Sequence, residues 1–224
     1  MKKGTIQTIL WILVIVLCGA ILVIPATREV FLAATKAHPY LMGFVKFAVL
    51  ATMGELLAIR ITTGSWAASK GLQWRSLIWG LIGMLVTLIF QIFSGGISFA
   101  MAGGYLPGGD NTFLFAFFVG SIMNLTFAPT FMAAHRFTDT WLDLRYEGKK
   151  NIRVLDVTNR IDWNSFVSFV VMKTIPFFWI PAHTITFMLA PEYRVVAAAF
   201  LSIALGGILS FAKKKGTQQK EAVV

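Results

Sequence analysis

Residues 77–102 read Leu-Ile-Trp-Gly-Leu-Ile-Gly-Met-Leu-Val-Thr-Leu-Ile-Phe-Gln-Ile-Phe-Ser-Gly-Gly-Ile-Ser-Phe-Ala-Met-Ala, without one charged side chain. A helix rises about 1.5 Å per residue and the hydrocarbon core of a bilayer is about 30 Å thick, so about 20 apolar residues cross it. This run exceeds that length. Five more runs of the same kind flank it: Gln7 to Pro25, Tyr40 to Ile61, Thr112 to Ala134, Phe166 to Ala190 and Val195 to Ala212. The second in chain order, Tyr40 to Ile61, is interrupted by Lys46 and Glu55. The last is short but bounded by Arg194 and by Lys213, Lys214 and Lys215.

The composition agrees. The 224 residues are 57% hydrophobic and only 13% charged, with a mean hydropathy of +0.73. A soluble domain carries roughly 25% charged residues, so this chain has too little charge to cover a soluble surface. The expected fold class is all-α: a polytopic transmembrane helical bundle of six spanning segments. It forms one membrane domain over residues 1–212, followed by a basic, disordered tail over 213–224.

The formal charge of +10 raises nucleic acid as a partner, but the basic residues stand in short clusters between apolar runs, and a nucleic-acid face there would be drawn into lipid. The clusters instead define a topology. With six spans both ends lie on one side. That side carries Lys2, Lys3, Arg60, Lys70, Arg75, Arg136, Arg145, Lys149, Lys150, Arg153, Arg160, Lys213, Lys214, Lys215 and Lys220; the other carries only Arg28, Lys36 and Arg194. Cytoplasmic loops hold the excess of Lys and Arg, so both termini are expected on the cytoplasmic side.

The first run follows Lys2 and Lys3, as a cleaved signal peptide would. Its apolar stretch is long for a signal core and Pro25-Ala26 is an indifferent cleavage site, so a retained helix is expected. The single cysteine, Cys18, allows no intrachain disulfide. Between the runs, Arg28 to Ala37 reads as a short amphipathic helix on the far surface. Gly103 to Asp110 is a turn-rich crossing. His135 to Asn164 is the longest polar stretch, with Trp141, Tyr146 and Trp163 placed as interfacial aromatics or as a partner-binding loop.

No phosphate-binding glycine loop, nucleophile elbow or paired-histidine zinc motif is present. His38, His135 and His183 fall in different segments without ligand-spaced neighbours, so neither a metal nor a cofactor is expected, and the chain does not read as an enzyme. What remains are polar groups inside apolar runs, which are costly unless paired or wetted. Lys46 and Glu55 are separated by about 900° of helix turn, so they face opposite sides and need separate partners. Lys173 and His183 share the fifth run with Thr184 and Thr186, and Asn124 and Thr126 lie in the fourth. These groups either line a solute path or act as interhelical glue. Pro129, Pro176 and Pro181 punctuate the runs, and a bend is expected in the fifth. Gly80 with Gly83, and Gly206-Gly207, offer close helix contacts.

Four short motifs between Ala37 and Phe211 carry a resemblance. Ala37-His38-Pro39 opens the second run, Gly54-Glu55 follows, and Phe127-Ala128-Pro129 precedes Phe131, with Asn124 just upstream. Trp179, Thr186-Phe187, Pro191, Arg194 and Leu209-Ser210 close the series. In these residues the chain resembles the Mpv-seventeen family of mitochondrial inner-membrane and peroxisomal membrane proteins. Pro181, Thr186, the spacing of Arg194 from Pro191, Leu205 and the stretch Gly83 to Phe90 depart from the family pattern, and residues 7–25 are an addition to it. The resemblance implies a distant, prokaryotic member in the cell membrane, or a mitochondrial or peroxisomal protein if eukaryotic. It further implies a pore-like role affecting solute balance. Glu55, Asn124, Lys173, His183 and Arg194 are then the candidates for lining or gating a small-solute channel, with Pro129, Trp179, Pro181 and Pro191 as structural motif residues. The alternatives are a non-conducting structural or partner-binding membrane protein and, with less support because no internal repeat is visible, a proton-coupled transporter. The lipid bilayer, an unknown small solute and a second copy of the chain in a homo-oligomer are the expected partners.

Overall fold

The structure is a computed structural model that describes the backbone of residues 3–66 and 70–221 and the side chains of residues 4–66 and 70–208. The side chains of Lys2, Lys3, Leu209, Ser210, Lys213, Lys214, Lys215 and Lys220, used above, lie outside the described residues, as do residues 222–224 of the expected tail. The chain is 86% helical, with no strand among the described residues. In order the helices are α1 (Lys3–Val23), α2 (Pro25–Ala37), α3 (Pro39–Thr63), α4 (Leu72–Ala102), α5 (Thr112–Thr126), α6 (Ala128–Tyr146), α7 (Val154–Arg160), α8 (Trp163–Met188) and α9 (Pro191–Glu221).

Five of these helices are long and apolar enough to cross a membrane, and six if the bent pair α5–α6 counts as one. All six expected apolar runs thus lie in helices, and the amphipathic stretch Arg28 to Ala37 is α2. Helical backbone continues past Lys213 to Glu221. Prolines set several boundaries: Pro25, Pro39, Pro129 and Pro191 stand at or next to helix starts, where a missing N–H costs no hydrogen bond. Gly64 ends α3 at φ 74°, in the left-handed region where glycine alone is unstrained.

The contacts divide the chain into two compact units, Met1–Leu88 with Val195–Val224, and Ile89–Arg194. In the first, glycines let backbones touch. A Cβ on Gly43 of α3 would stand 2.7 Å from the Gly83 carbonyl oxygen of α4, and one on Gly206 of α9 would stand 2.9 Å from that of Gly54 on α3. Around these crossings Phe47, Leu50, Ala51, Ile82, Val196 and Ala199 are buried. Helix α1 is held differently. Its apolar window buries nothing, and its polar anchors are the Trp11 Nε1–H to Met53 O bond (2.9 Å) and the Trp66 Nε1–H to Thr8 Oγ1 bond (2.7 Å). Ile9, Leu13, Val16 and Leu17 point outward, each about half exposed.

In the second unit, α5 packs on the C-terminal part of α8, where a Cβ on Gly120 would meet the Thr184 backbone nitrogen at 3.0 Å. The fourth run is broken: α5 and α6 meet at 49° around Phe127-Ala128-Pro129. Proline there cannot continue the hydrogen-bond ladder of α5, and its ring collides with the preceding turn. The bend expected in the fifth run takes another form. Trp163–Met188 is unbroken, and Phe166–Trp179 winds as a wider coil in which the Ile180 N–H donates to Ile175 O, five residues back. A wider turn makes room for Pro176, so the proline is absorbed by a change of pitch instead of a sharp break. The polar stretch after α6 is folded: Leu144, Val157 and Ile161 form a small core with Phe137 and Ile152 packed against it.

Candidate functional site

The polar residues singled out in the sequence fall into separate places. In the second unit, Asn124 of α5 is 1% exposed and bridges two helices. Its Nδ2 donates to Gly120 O at 2.6 Å within α5 and lies 2.8 Å from His183 Nδ1 on α8. Because an amide nitrogen donates, His183 Nδ1 must accept, which fixes the imidazole as neutral with its proton on Nε2. Gly120 makes this possible: without a side chain there, the backbones come close enough for the short Asn124 side chain to reach across.

His183 is enclosed by rings. Trp179, one turn earlier on α8, stacks on it at 5.2 Å between centroids, and Phe90 of α4 meets it edge-on at 5.8 Å. Phe90 also touches Phe187 at 4.8 Å. Arg194 extends the line. Its guanidinium lies 5.3 Å from the Phe187 ring centre and 5.8 Å from that of Phe115, and its Nε donates to Leu189 O at 3.0 Å. That carbonyl is at the C-terminal end of α8, where a cation complements the helix dipole. Asn124, His183, Trp179 and Arg194 are therefore brought into one cluster, with Thr184 and Thr186 buried beside it but bonded back to Ile180 O and Ala182 O of their own helix. Near this cluster the buried atoms Ser121 Oγ and Trp179 Nε1 have no protein partner among the described residues.

Lys173 does not join them. It lies on the exposed face of α8, its Nζ 6.0 Å from the Phe169 ring centre one turn away, among outward-facing Val167, Met172 and Phe177. Glu55 belongs to the first unit. Its carboxylate stands 3.4 Å from the Arg75 guanidinium and 3.4 Å from Trp79 Nε1, with Arg75 only 7% exposed. In the sequence Arg75 reads as a loop charge, but α4 begins at Leu72 and draws it into the first turn of the helix, one turn before Trp79. Lys46, on the same helix as Glu55, turns instead to α2, where Thr35 accepts from its Nζ at 3.0 Å. The two ionisable groups of the second run thus take separate partners on separate helices, as their angular spacing requires. Pro129 and Pro191 open helices, and Pro181 stands at the start of the α-helical end of α8.

The pairings missed in the sequence, Glu55 with Arg75 and Asn124 with His183, join residues far apart in the chain, and no local pattern marks them. No group of three or more His, Cys, Asp or Glu side chains able to hold a metal occurs among the described residues.

Apolar helices of membrane length, large apolar side chains on the outside and polar groups turned inward into pairs are the features of a polytopic helical membrane protein. No family model, no curated protein and no solved structure matches the chain.

Proposed function

We propose that this chain is a non-enzymatic, six-span membrane protein with both termini on the cytoplasmic side, acting as a non-conducting structural or partner-binding element of the membrane. The observation that carries the reading is the pairing of inward polar groups: Glu55 with Arg75 and Trp79, and Asn124 with His183. A group that serves permeating solutes keeps hydrogen-bonding capacity turned to a wet path, whereas a group that specifies helix packing spends it on its neighbour. The excess of Lys and Arg on one side supports the topology. Membership of the Mpv-seventeen family is part of the proposal. It is supported by the placing of the motif prolines Pro39, Pro129 and Pro191 at helix starts. That resemblance would place the chain in a prokaryotic cell membrane, or in a mitochondrial or peroxisomal one if eukaryotic.

A solute path is the second reading, favoured by Ser121 Oγ and Trp179 Nε1, which are buried near the Asn124–His183 pair and lack protein partners among the described residues. Water is the natural partner for such atoms. Reconstitution into liposomes separates the readings. Ion conductance and small-solute flux are expected to equal those of empty vesicles. Flux above that background, altered by Asn124→Leu or Glu55→Gln, would establish the channel and overturn the structural reading.

A further inference from the structure

Lys46 is 5% exposed, yet its charge is not matched. Its Nζ donates to the Thr35 hydroxyl at 3.0 Å and lies 4.5 Å from the centre of the Phe31 ring; both residues belong to α2. An ammonium has three N–H donors, and a hydroxyl together with a ring face offers one acceptor and one quadrupole. Neither supplies a negative charge. No carboxylate lies within ion-pair distance of Nζ among the described residues, and Glu29, the acidic residue of α2, is exposed and does not reach it. Arg75, the other deeply buried cation in this unit, has the Glu55 carboxylate beside it. A buried ammonium without a counter-charge is strongly disfavoured, so an anion from outside the chain is the natural completion of the arrangement.

The position suits one class of anion. Lys46 lies about two turns into α3, roughly 10 Å along the axis from Pro39. Helix α2, which contributes Thr35 and Phe31, buries none of its own residues. On the membrane reading α2 lies along the surface, which sets the ammonium beneath it near the headgroup region, with two N–H donors to spare. We propose that Lys46, framed by Thr35 and Phe31, is a binding site for a phosphate-type oxyanion, taken either from the headgroup of an anionic phospholipid or from free phosphate. The lipid source rests on the membrane reading above; the anion site itself rests only on the geometry of Lys46.

The test uses the full chain, purified and delipidated in an uncharged detergent, with thermal unfolding followed by tryptophan fluorescence. One arm adds inorganic phosphate against chloride of equal ionic strength. The other adds short-chain phosphatidylglycerol against diacylglycerol. A melting point raised by a few degrees is expected in at least one arm, lost in Lys46→Gln and kept in Lys46→Arg. A rise with the lipid alone assigns the headgroup as the source; a rise with both shows that free phosphate also enters. No rise in either arm, or a rise of the same size in Lys46→Gln, overturns the proposal. Should Lys46→Gln fail to fold, Thr35→Val, on the exposed α2, reads the same site: the ligand concentration at half-effect is expected to rise several-fold, and an unchanged value would equally refute the site. Because the phosphate arm needs no bilayer, its outcome is independent of the flux experiment.

Discussion

Asn124 shows how much one amide can specify. It is 1% exposed and satisfies two acceptors on two helices, so replacing it strands His183 Nδ1 in a buried place. An unsatisfied buried group costs about 1–3 kcal/mol, and Asn124→Leu is expected to lower the unfolding free energy in detergent by that amount. The pair itself is worth less. Interhelical hydrogen bonds in membrane proteins average about 0.6 kcal/mol and reach about 1.7 kcal/mol, so a double-mutant cycle with Asn124→Leu and His183→Phe should return a coupling in that range. A coupling indistinguishable from zero would show that the 2.8 Å contact contributes packing alone. Glu55 poses the ionic version. Removing one partner of a buried ion pair costs about 3–5 kcal/mol, and Glu55 and Arg75 side chains are 19% and 7% exposed. Glu55→Leu should destabilise far more than Glu55→Leu combined with Arg75→Met, read again as the unfolding midpoint.

Helices meet in this chain where side chains are missing. At Gly43 a methyl group would stand 2.7 Å from the Gly83 carbonyl oxygen, part of the helix backbone, which has no rotamer by which to yield. Gly43→Ala is therefore expected to cost about 1–3 kcal/mol, as overpacking does, whereas Gly95→Ala, with open space around it, should be neutral by the same measurement. The short α7 segment depends on charge instead. Hydrogen bonding from Lys149, then from the Arg153 backbone N–H, holds the Asp156 carboxyl below its ordinary range, and the Ser165 hydroxyl and N–H do the same for Asp162. A carboxyl depressed in the folded state contributes its stabilisation above the ordinary carboxylate range. That contribution fades as pH falls through the depressed value. Amide protection factors over residues 149–165, taken relative to the intrinsic exchange rate at each pH, should accordingly fall on acidification from neutral pH to well below the ordinary carboxylate range, while the helices lined by apolar side chains keep theirs. Equal protection at both pH values would remove the carboxylates from the account.

For the molecule as a whole, the testable consequence is topology. In a background with Cys18→Ala, a cysteine at Gly148 is expected to react with an impermeant thiol reagent only from the side that carries both termini, and a cysteine at Leu106 only from the opposite side. Labelling of both from one side would break the six-span arrangement. The bend at Pro129 matters here. The fourth run is α5 and part of α6 at 49° to each other, and the proposed six-span arrangement requires that bent pair to cross as one broken span.

The sequence alone marked the apolar runs that become membrane-length helices, five of them or six with the bent pair counted as one, and the proline or glycine at several of their ends, because apolar length and closing a helix at proline or glycine are local matters. It also determined that Lys46 and Glu55 could not serve each other, since helical pitch fixes their angle. Only the tertiary structure decided the partners. Arg75 looked like a loop charge until α4 carried it to Glu55, and Lys173 shared a run with His183 yet points outward while His183 points in. The wide coil around Pro176 and the sharp bend at Pro129 differ for the same reason. A proline announces that the helical ladder is interrupted, but not whether the chain turns aside, as at Pro129, or loosens its pitch, as at Pro176. Pairings between distant residues depend on which backbones can approach, and Gly43, Gly54, Gly120 and Gly206 settle that through contacts that no stretch of sequence contains.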